Sequence, residues 1–260
     1  MSAALVTGAS SGIGRALARE LAARGLDLVL VARSAPALQG LAEELRRGCG
    51  VRVEVLAQDL ARPGAVDEVA RAITASGLEI ELLVNDAGVG SFAPFADAKW
   101  DDLAQILALN VGALTELTHR LLPTMRARGR GRILLIASTV AFAPGPRAAV
   151  YSASKAYVLS FGQALAVELA CDGIAVVTVC PGRTDTEFAR RAGWSETRHA
   201  RARRARSAEE VARAALRALD AGAPLHVPGA ANRLLSLVAR LLPPPLAARG
   251  VAWLRHEVRE

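Results

Sequence analysis

Short apolar runs alternate with longer amphipathic segments along most of this chain. Residues 3–7, 28–31, 80–84 and 174–179 are dominated by Ala, Val, Leu and Ile. Apolar runs of this length are typical of strands that are buried on both faces, as in a parallel sheet. Strands that alternate with helices at this spacing predict right-handed strand–helix–strand units. The expected fold is a doubly wound α/β sheet of about seven parallel strands, with helices on both faces.

The predicted elements follow one another without a break that would mark a second domain. Strands are expected at 3–7, 27–32, 51–55, 80–84, 132–137, 174–179 and 225–227. Helices are expected from a glycine-rich loop to about residue 24 and at 34–47, 63–76, 97–128, 151–170 and 207–221. Pro123 is expected to bend or interrupt the helix at 97–128. We interpret 1–230 as one domain, with 187–206 and 231–260 as a substrate loop and a C-terminal extension of it.

The first predicted strand leads directly into the loop Thr7-Gly8-Ala9-Ser10-Ser11-Gly12-Ile13-Gly14 and then a helix. Glycines let such a loop approach a pyrophosphate closely, and the helix N-terminus offers free N–H groups and a positive dipole end. We expect cofactor contacts from Gly8, Ser10, Ser11, Gly12, Ile13 and Gly14. A plain glycine-rich turn between strand and helix is the alternative.

Arg33 stands at the end of the second predicted strand, where a dinucleotide-binding sheet meets the adenosine ribose. An acidic residue there suits the 2′-hydroxyl of NAD, whereas arginine suits the 2′-phosphate of NADP. With Arg15 as a second contact, the sequence favours NADP(H) over NAD(H). The alternative is that Arg33 merely starts the next loop. Asp59 and Leu60 follow the third strand, where a side chain can meet the adenine edge.

Tyr151 and Lys155 are four residues apart in a predicted helix, and Ser138 follows the fifth strand. Residues i and i+4 share one helix face, so the phenol and the ammonium are expected to lie side by side. A free phenol has a pKa of about 10, and a fixed positive neighbour favours the phenolate and brings proton transfer closer to neutral pH. The chain has only two lysines, Lys99 and Lys155, among its 32 basic residues, so a lysine here suggests a specific role. The alternative is a chance spacing on a surface helix.

Composition excludes several other classes of protein. The net charge is +7, but the run Arg201, Arg203, Arg204 and Arg206, within the arginine-rich stretch from 190 to 217, has no interleaved aromatic residue for stacking on bases, so a solvated face is preferred over nucleic-acid binding. Three cysteines without CxxC spacing predict neither a disulfide framework nor a zinc site. No signal peptide or membrane span is evident, and we expect a cytoplasmic protein with no metal.

Taken jointly, these motifs resemble the short-chain dehydrogenase/reductase family over residues 3–230. The matching features are Thr7-Gly8-x3-Gly12-Ile13-Gly14, Asp59-Leu60, Asn85-x-Ala87-Gly88, Asn110, Ser138, Tyr151-x3-Lys155 and Pro181-Gly182-x3-Thr186. Residues 151–161 and 225–235 are most similar to the DltE-like branch. The resemblance implies a Rossmann-type fold and an NADP(H)-dependent oxidoreductase that interconverts a ketone and a secondary alcohol.

The resemblance also implies a role for each matching residue. Tyr151 would be the acid or base, Lys155 would assist it and bind the nicotinamide ribose, and Ser138 would orient the substrate oxygen. Asn110 would hold a water that links the lysine to solvent. Further cofactor contacts would come from Asn85, Ala87, Gly88, Pro181, Gly182 and Thr186. One departure is Asp86, which replaces the usual second asparagine of the family.

Three questions stay open at the level of sequence. A catalytically silent NADP(H)-binding regulatory protein is the alternative function. The C-terminal segment from residue 232 mixes Leu and Val with arginine, which fits membrane contact, although packing beside the pocket or a partner subunit is preferred. Aromatic residues at 92, 95, 142, 188 and 194 suggest a partly apolar small-molecule substrate, and the family suggests a homodimer or homotetramer.

Overall fold

A computed structural model of the chain describes residues 2–188, 192 and 205–255, with side chains up to residue 253. Its centre is a seven-stranded parallel sheet in the order β3-β2-β1-β4-β5-β6-β7. The strands are β1 (Ser2–Thr7), β2 (Asp27–Ala32), β3 (Val53–Ala57), β4 (Glu79–Asn85), β5 (Gly131–Ile136), β6 (Ile174–Val179) and β7 (Leu225–His226). The predicted fold class is therefore confirmed.

Helices connect the strands and extend the chain beyond the last one. They are α1 (Gly12–Ala23), α2 (Ala35–Cys49), α3 (Ala65–Ser76), α4 (Trp100–Leu107), α5 (Leu114–Ala127), α6 (Ala149–Glu168), α7 (Ala208–Asp220), α8 (Ala230–Leu241) and α9 (Pro244–Arg255). A π-helical turn, Ala108–Ala113, joins α4 to α5 without a break. Short 3₁₀ turns lie at Phe95–Asp97, Thr139–Phe142 and Ala170–Asp172.

The two faces of the sheet bury two separate apolar layers, as the alternation of strand side chains requires. On one face, strand residues such as Leu5 and Leu83 pack with Leu117 of α5 and Val158 of α6. On the other face, strand residues such as Leu28, Leu82 and Leu134 pack with Leu17 of α1, Leu41 of α2 and Leu216 of α7. Both layers are aliphatic, which agrees with the low aromatic content of 4%.

Several element boundaries differ from the sequence expectation. The third strand begins at Val53, two residues later than predicted. Helix α5 continues through Pro123, because Leu121 and Met125 anchor it in the core on both sides of the proline. The apolar C-terminal segment forms α8 and α9, which the sequence pattern did not predict.

The strand order reverses between β1 and β4, because β2 and β3 lie on one side of β1 and β4 to β7 lie on the other. Ligands of open α/β sheets bind outside the carboxyl ends of the strands at such a switch point. The loops after β1 and β4 therefore meet at the place where the sheet has room for a ligand.

Gly162 lies where α6 packs closely against the sheet. A Cβ atom at this position would overlap Thr178 Oγ1 on β6 and lie 2.8 Å from Leu135 Cδ1 on β5. We expect Gly162→Ala to reduce the free energy of unfolding by about 1–3 kcal/mol through overpacking.

The control for this substitution is Gly40→Ala in α2, where a new Cβ meets no atom within 4 Å. There, alanine should stabilise the helix by about 0.5–1 kcal/mol. Urea unfolding of both variants measures the difference. Equal stability of the two variants would contradict the described packing of α6.

Candidate functional site

A cavity of 1120 Å³ opens along the carboxyl edge of the sheet, above β1, β4 and β5. Most of the predicted site residues line it, namely Gly8, Ser10, Ser11, Gly12, Ile13, Arg33, Asp59, Leu60, Ala87, Gly88, Ser138, Tyr151, Lys155, Pro181, Gly182 and Thr186. Gly14, Asn85 and Asn110 are not part of its lining. The structure thus brings together residues that are far apart in the sequence.

The glycine loop has the shape of a phosphate cradle. Gly8 and Gly12 have φ values of 71° and 55°, in the left-handed region that favours glycine. A Cβ at Gly8 would lie 3.0 Å from the Ala87 nitrogen, and a Cβ at Gly14 would lie 2.6 Å from the Gly8 carbonyl oxygen. Ser11 makes no side-chain cap bond, so the N–H groups at the start of α1 are available to an anion, apart from that of Gly14, which bonds Asp86. These features fit the pyrophosphate of a dinucleotide.

Thr7 ties the end of β1 to the segment that follows β4. Its buried hydroxyl donates to the Val84 carbonyl at 3.2 Å and accepts from the backbone nitrogens of Asp86 at 3.0 Å and Ala87 at 3.1 Å. One side chain therefore sets the distance between the two loops that form the floor of the cavity.

The side chains of Asn85 and Asn110 do not line the cavity but bond the segments around it. Asn85 Nδ2 donates to Thr118 Oγ1 on α5 at 3.0 Å, so its amide points away from the cofactor side. Asn110, in the π-helical turn, accepts from the Val89 nitrogen and donates to the Val89 oxygen, both at 2.9 Å. It also donates to Ser154 Oγ at 3.1 Å. Asn110 thus fastens the loop after β4 to α6.

Tyr151, Lys155 and Ser138, the predicted source of the phenol, the ammonium and the hydroxyl, lie near the carboxyl end of β5. Lys155 Nζ donates to the Ile136 carbonyl at 2.8 Å and lies 6.0 Å from the centroid of the Tyr151 ring. Ser138 follows β5, and its Oγ accepts from the Val140 nitrogen at 3.3 Å. Tyr151 is only 4% exposed, and its ring lies against Phe188 with the centroids 5.6 Å apart. The hydroxyl groups of Ser138 and Tyr151 belong to residues that line the same cavity.

Asp86 lies directly beneath the glycine loop and also lines the cavity. A Cβ at Gly14 would come within 2.8 Å of its Oδ2, and the Gly14 backbone N–H donates to its carboxylate. Removal from solvent raises the pKa of Asp86 to about 7, although the charge of Lys155 and the Gly14 N–H oppose the rise. Burial likewise lowers the pKa of Lys155 to about 8, against the effect of Asp86. The sequence showed the replacement at 86 but not this position under the loop.

Two arginines lie at the end of the cavity beside the glycine loop and β2. Arg33 follows β2, and Arg15 lies in the first turn of α1. Within the described residues, no carboxylate pairs with either guanidinium, and the buried Arg15 Nε has no hydrogen-bond partner. Unpaired guanidinium donors at this place fit a phosphate group.

The C-terminal helices form the far wall of the cavity. Asn232, Leu235, Ser236, Val238 and Ala239 contribute from α8, Leu242 from the position just after it, and Ala247, Gly250 and Val251 from α9. Phe92 and Phe188 also line the cavity, whereas Phe95 is 66% exposed and Phe142 lies near Arg240. Most of the predicted substrate loop 187–206, with Trp194, lies outside the described residues. The opposite side of α8 exposes Leu234, Leu237 and Leu241.

The three cysteines are free thiols. Cys49 and Cys171 are exposed, Cys180 is buried and none forms a disulfide. Burial raises the pKa of the Cys180 thiol to about 12. Among the described side chains, no cluster of His, Cys, Asp and Glu is arranged to bind a metal ion. Within the same ranges, no helix combines the length and apolar character that a bilayer span requires.

Residues 2–196 match the family described as short chain dehydrogenase. The 17-beta-hydroxysteroid dehydrogenase type 3 of Rattus norvegicus is 33% identical over 243 residues, which cover 92% of this chain and 76% of that protein. A short-chain dehydrogenase from Sphingobium yanoikuyae, solved in complex with NADPH, is 34% identical with a TM-score of 0.83, covering 100% of this chain and 98% of that one. A bulky-bulky ketone specific alcohol dehydrogenase from Comamonas testosteroni is 29% identical with a TM-score of 0.79, covering 100% and 97%.

The raised pKa of Asp86 predicts a specific dependence of stability on pH. The folded state holds the proton of Asp86 up to about pH 7, whereas the unfolded chain releases it near its ordinary value of 3.8. The contribution of Asp86 to stability is therefore complete below about pH 4 and is lost as the pH rises to 7. We expect Asp86→Asn to raise the unfolding temperature by about 2–4 °C at pH 8 but much less at pH 5.

Thermal unfolding at several pH values between 5 and 8 tests this expectation. The matched control is Asp97→Asn, because Asp97 is an exposed aspartate outside the cavity. This variant measures the effect of the same exchange at a position outside the cavity. A pH-independent difference for Asp86→Asn would contradict the described environment of the carboxyl group.

Proposed function

The chain belongs to the short-chain dehydrogenase family, and we propose that it is an NADP(H)-dependent oxidoreductase that interconverts a bulky ketone and the corresponding secondary alcohol. One observation carries this proposal. Ser138, Tyr151 and Lys155 line one end of a cavity, and the glycine loop lines its other end. A cofactor that spans this cavity would place its reactive end beside the three side chains.

In the proposed reduction, the substrate carbonyl oxygen accepts hydrogen bonds from the hydroxyls of Ser138 and Tyr151. The chemistry that NADPH would supply when bound is a hydride for the carbonyl carbon. Tyr151 gives its phenolic proton to the oxygen as negative charge develops there, so the carbonyl becomes an alcohol and the tyrosine a phenolate. Oxidation of an alcohol reverses the same steps.

Lys155 makes this proton transfer favourable, because its ammonium, fixed by the Ile136 carbonyl, stabilises the phenolate. The same compact ammonium can bond the hydroxyls of the nicotinamide ribose. Asn110 holds the loop after β4 against α6, and a Cβ at Gly88 would lie 3.2 Å from Asn110 Oδ1 and 3.6 Å from Lys155 Nζ. This closeness supports a role for Asn110 in returning a proton to Tyr151 through water and Lys155.

The preference for NADP(H) rests on Arg33 and Arg15. Both line the adenosine end of the cavity, and their guanidinium groups suit a 2′-phosphate. The relative from Sphingobium yanoikuyae was solved with NADPH, which supports this choice of cofactor. Asp59 and Leu60 complete the adenine side of the site.

The proposed substrate is bulky and largely apolar beyond its reactive carbonyl. The wall formed by α8 and α9 contains mainly Leu, Val, Ala and Gly, and a cavity of 1120 Å³ has room for both a dinucleotide and a sizeable substrate. The names of two relatives, a hydroxysteroid dehydrogenase and an alcohol dehydrogenase specific for bulky-bulky ketones, support this substrate class.

We also propose a homodimer or homotetramer that is formed through α4, α5 and α6. Trp100 and Leu107 on α4 and Tyr157 and Val167 on α6 have exposed side chains, with Val167 80% exposed. Exposed apolar groups on adjacent helices are suited to burial against a second copy of the chain.

Replacing Tyr151 tests the proposed acid–base role. We expect Tyr151→Phe to bind NADPH normally but to reduce ketones about 10²–10⁴-fold more slowly, because the proton donor is lost. The matched control is Tyr157→Phe, because the Tyr157 hydroxyl bonds Thr115 Oγ1 on the helix surface. The assay follows NADPH oxidation with a panel of bulky ketones.

Full turnover by Tyr151→Phe would exclude the acid–base role. Binding of NADPH by the unsubstituted protein without oxidation by any ketone would favour the second candidate, a catalytically silent regulatory protein. The complete set of Asn110, Ser138, Tyr151 and Lys155 argues against that candidate.

Replacing Arg33 tests the cofactor preference. We expect Arg33→Asp to raise the KM for NADPH about tenfold or more and to leave the KM for NADH unchanged or lower, because the carboxylate repels a 2′-phosphate and accepts from a 2′-hydroxyl. Arg130→Asp, at an exposed position outside the cavity, controls for the change in net charge. An unchanged ratio of the two KM values would show that Arg33 does not determine the preference for NADPH over NADH.

A further inference from the structure

Helix α8 packs on the protein in the opposite sense to an ordinary surface helix. An amphipathic helix normally turns its apolar stripe to the core and its polar residues to water. The structure describes every residue of α8, and the only buried one is the polar Ser236. Leu234, Leu237 and Leu241 are instead 62%, 54% and 77% exposed. Their spacing of i, i+3 and i+7 places these three leucines, here called the outer stripe, on one helix face.

Helix α9 also exposes large apolar side chains. Leu246 and Trp253, seven residues apart on this helix, are 51% and 63% exposed. The exposed Arg249 lies on the same face, three residues after Leu246. Each of the two helices has 12 residues. A helix of that length spans about 18 Å, less than the hydrocarbon core of a bilayer. These helices can therefore lie on a membrane but cannot cross one.

The charge of this segment has one sign. From residue 230 to residue 255 the sequence has four arginines, Arg233, Arg240, Arg249 and Arg255, and no acidic residue. Arg233 and Arg240 each precede a leucine of the outer stripe, so they flank the stripe along one side. Among the side chains that the structure describes, no carboxylate forms an ion pair with Arg233, Arg240 or Arg249. The apolar surface is thus bordered by positive charge that is available to an anionic partner.

The same charges argue against a second copy of the chain as the partner. A two-fold interface would place the outer stripe of one subunit against the outer stripe of the other. The flanking arginines of both subunits would then approach each other, and the segment offers no acidic residue to separate them. Like charges that face each other across an interface oppose its formation.

A protein groove is also a poorer match than lipid. Protein interfaces depend on aromatic or arginine anchors in shaped pockets, surrounded by specific hydrogen bonds. The outer stripe has only leucine side chains, which offer no hydrogen bond. A lipid surface needs only an apolar helix face and flanking cations that reach anionic headgroups.

We propose that α8 and α9 hold the protein on an anionic lipid surface, with the outer stripe in the interface and the flanking arginines among the headgroups. Leu235 and Val238 line the cavity and lie between the outer stripe and Ser236 on the circumference of α8. Apolar surface therefore continues around the helix from the membrane side to the cavity. The inference goes beyond the proposed function, because binding to lipid requires no turnover.

Co-sedimentation of the full chain with vesicles tests the proposal. One set of vesicles contains phosphatidylcholine alone, and the other contains phosphatidylcholine with phosphatidylserine. We expect the protein to sediment with the second set and much less with the first. Combining Leu237→Gln with Leu241→Gln should weaken binding at least about tenfold, because two apolar side chains no longer enter the interface. The matched control is Phe95→Gln, which removes an exposed aromatic ring from another element and should bind as the unsubstituted protein does.

A second variant tests the charges. Combining Arg233→Gln with Arg249→Gln should weaken binding to the phosphatidylserine vesicles by about fivefold for each arginine. Its control combines Arg71→Gln with Arg130→Gln, which lowers the net charge equally at exposed positions outside this segment. All four variants should keep the unfolding temperature and, by analytical ultracentrifugation without lipid, the oligomeric state of the unsubstituted protein.

Four results would overturn the inference. They are failure of the unsubstituted protein to sediment with phosphatidylserine vesicles, equal sedimentation with both sets, unchanged binding by the leucine variant, and equal losses in a variant and its control. A smaller oligomer for the leucine variant would also overturn it, by showing that the outer stripe is a subunit contact. A lowered unfolding temperature for that variant would do the same, by showing that the leucines are packed within the protein. None of these results bears on the proposed reaction, which is measured separately by NADPH oxidation.

Discussion

The close approach of the loops after β1 and β4 is the constraint on which the site depends. Thr7 Oγ1 bonds the backbone of both Asp86 and Ala87, and a Cβ at Gly8 would come within 3.0 Å of the Ala87 nitrogen. Only a glycine loop can come so near, and only a sheet whose strand order reverses at this point brings the two loops together. The glycine loop and the group of Ser138, Tyr151 and Lys155 therefore line one cavity along the same edge of the sheet.

Features set by local chain periodicity were predictable from the sequence. The sheet and its main helices follow from apolar runs and helical patterns, and the side-by-side placement of Tyr151 and Lys155 follows from their spacing in one helix. Arg33 lines the cavity because it directly follows β2, which the sequence pattern already indicated. In these cases, neighbours in sequence determine neighbours in space.

Features set by contacts between distant segments were not predictable in the same way. The direction of the Asn85 amide depends on Thr118, and the position of Asp86 depends on Gly14, more than seventy residues away. The Leu, Val and Arg pattern beyond residue 230 was compatible with several structures, and packing against the cavity selects two helices. The resemblance to the DltE-like branch stays a prediction.

The central claim is that this edge of the sheet carries hydride transfer and not cofactor binding alone. The most direct measurement incubates the unsubstituted protein with a bulky ketone and NADPH that carries deuterium at C4 of the nicotinamide, on the face from which it transfers hydride. The product alcohol is then analysed by mass spectrometry. Our account predicts one deuterium at the carbinol carbon. Tight binding of the labelled cofactor without any labelled alcohol from the ketone panel would contradict it.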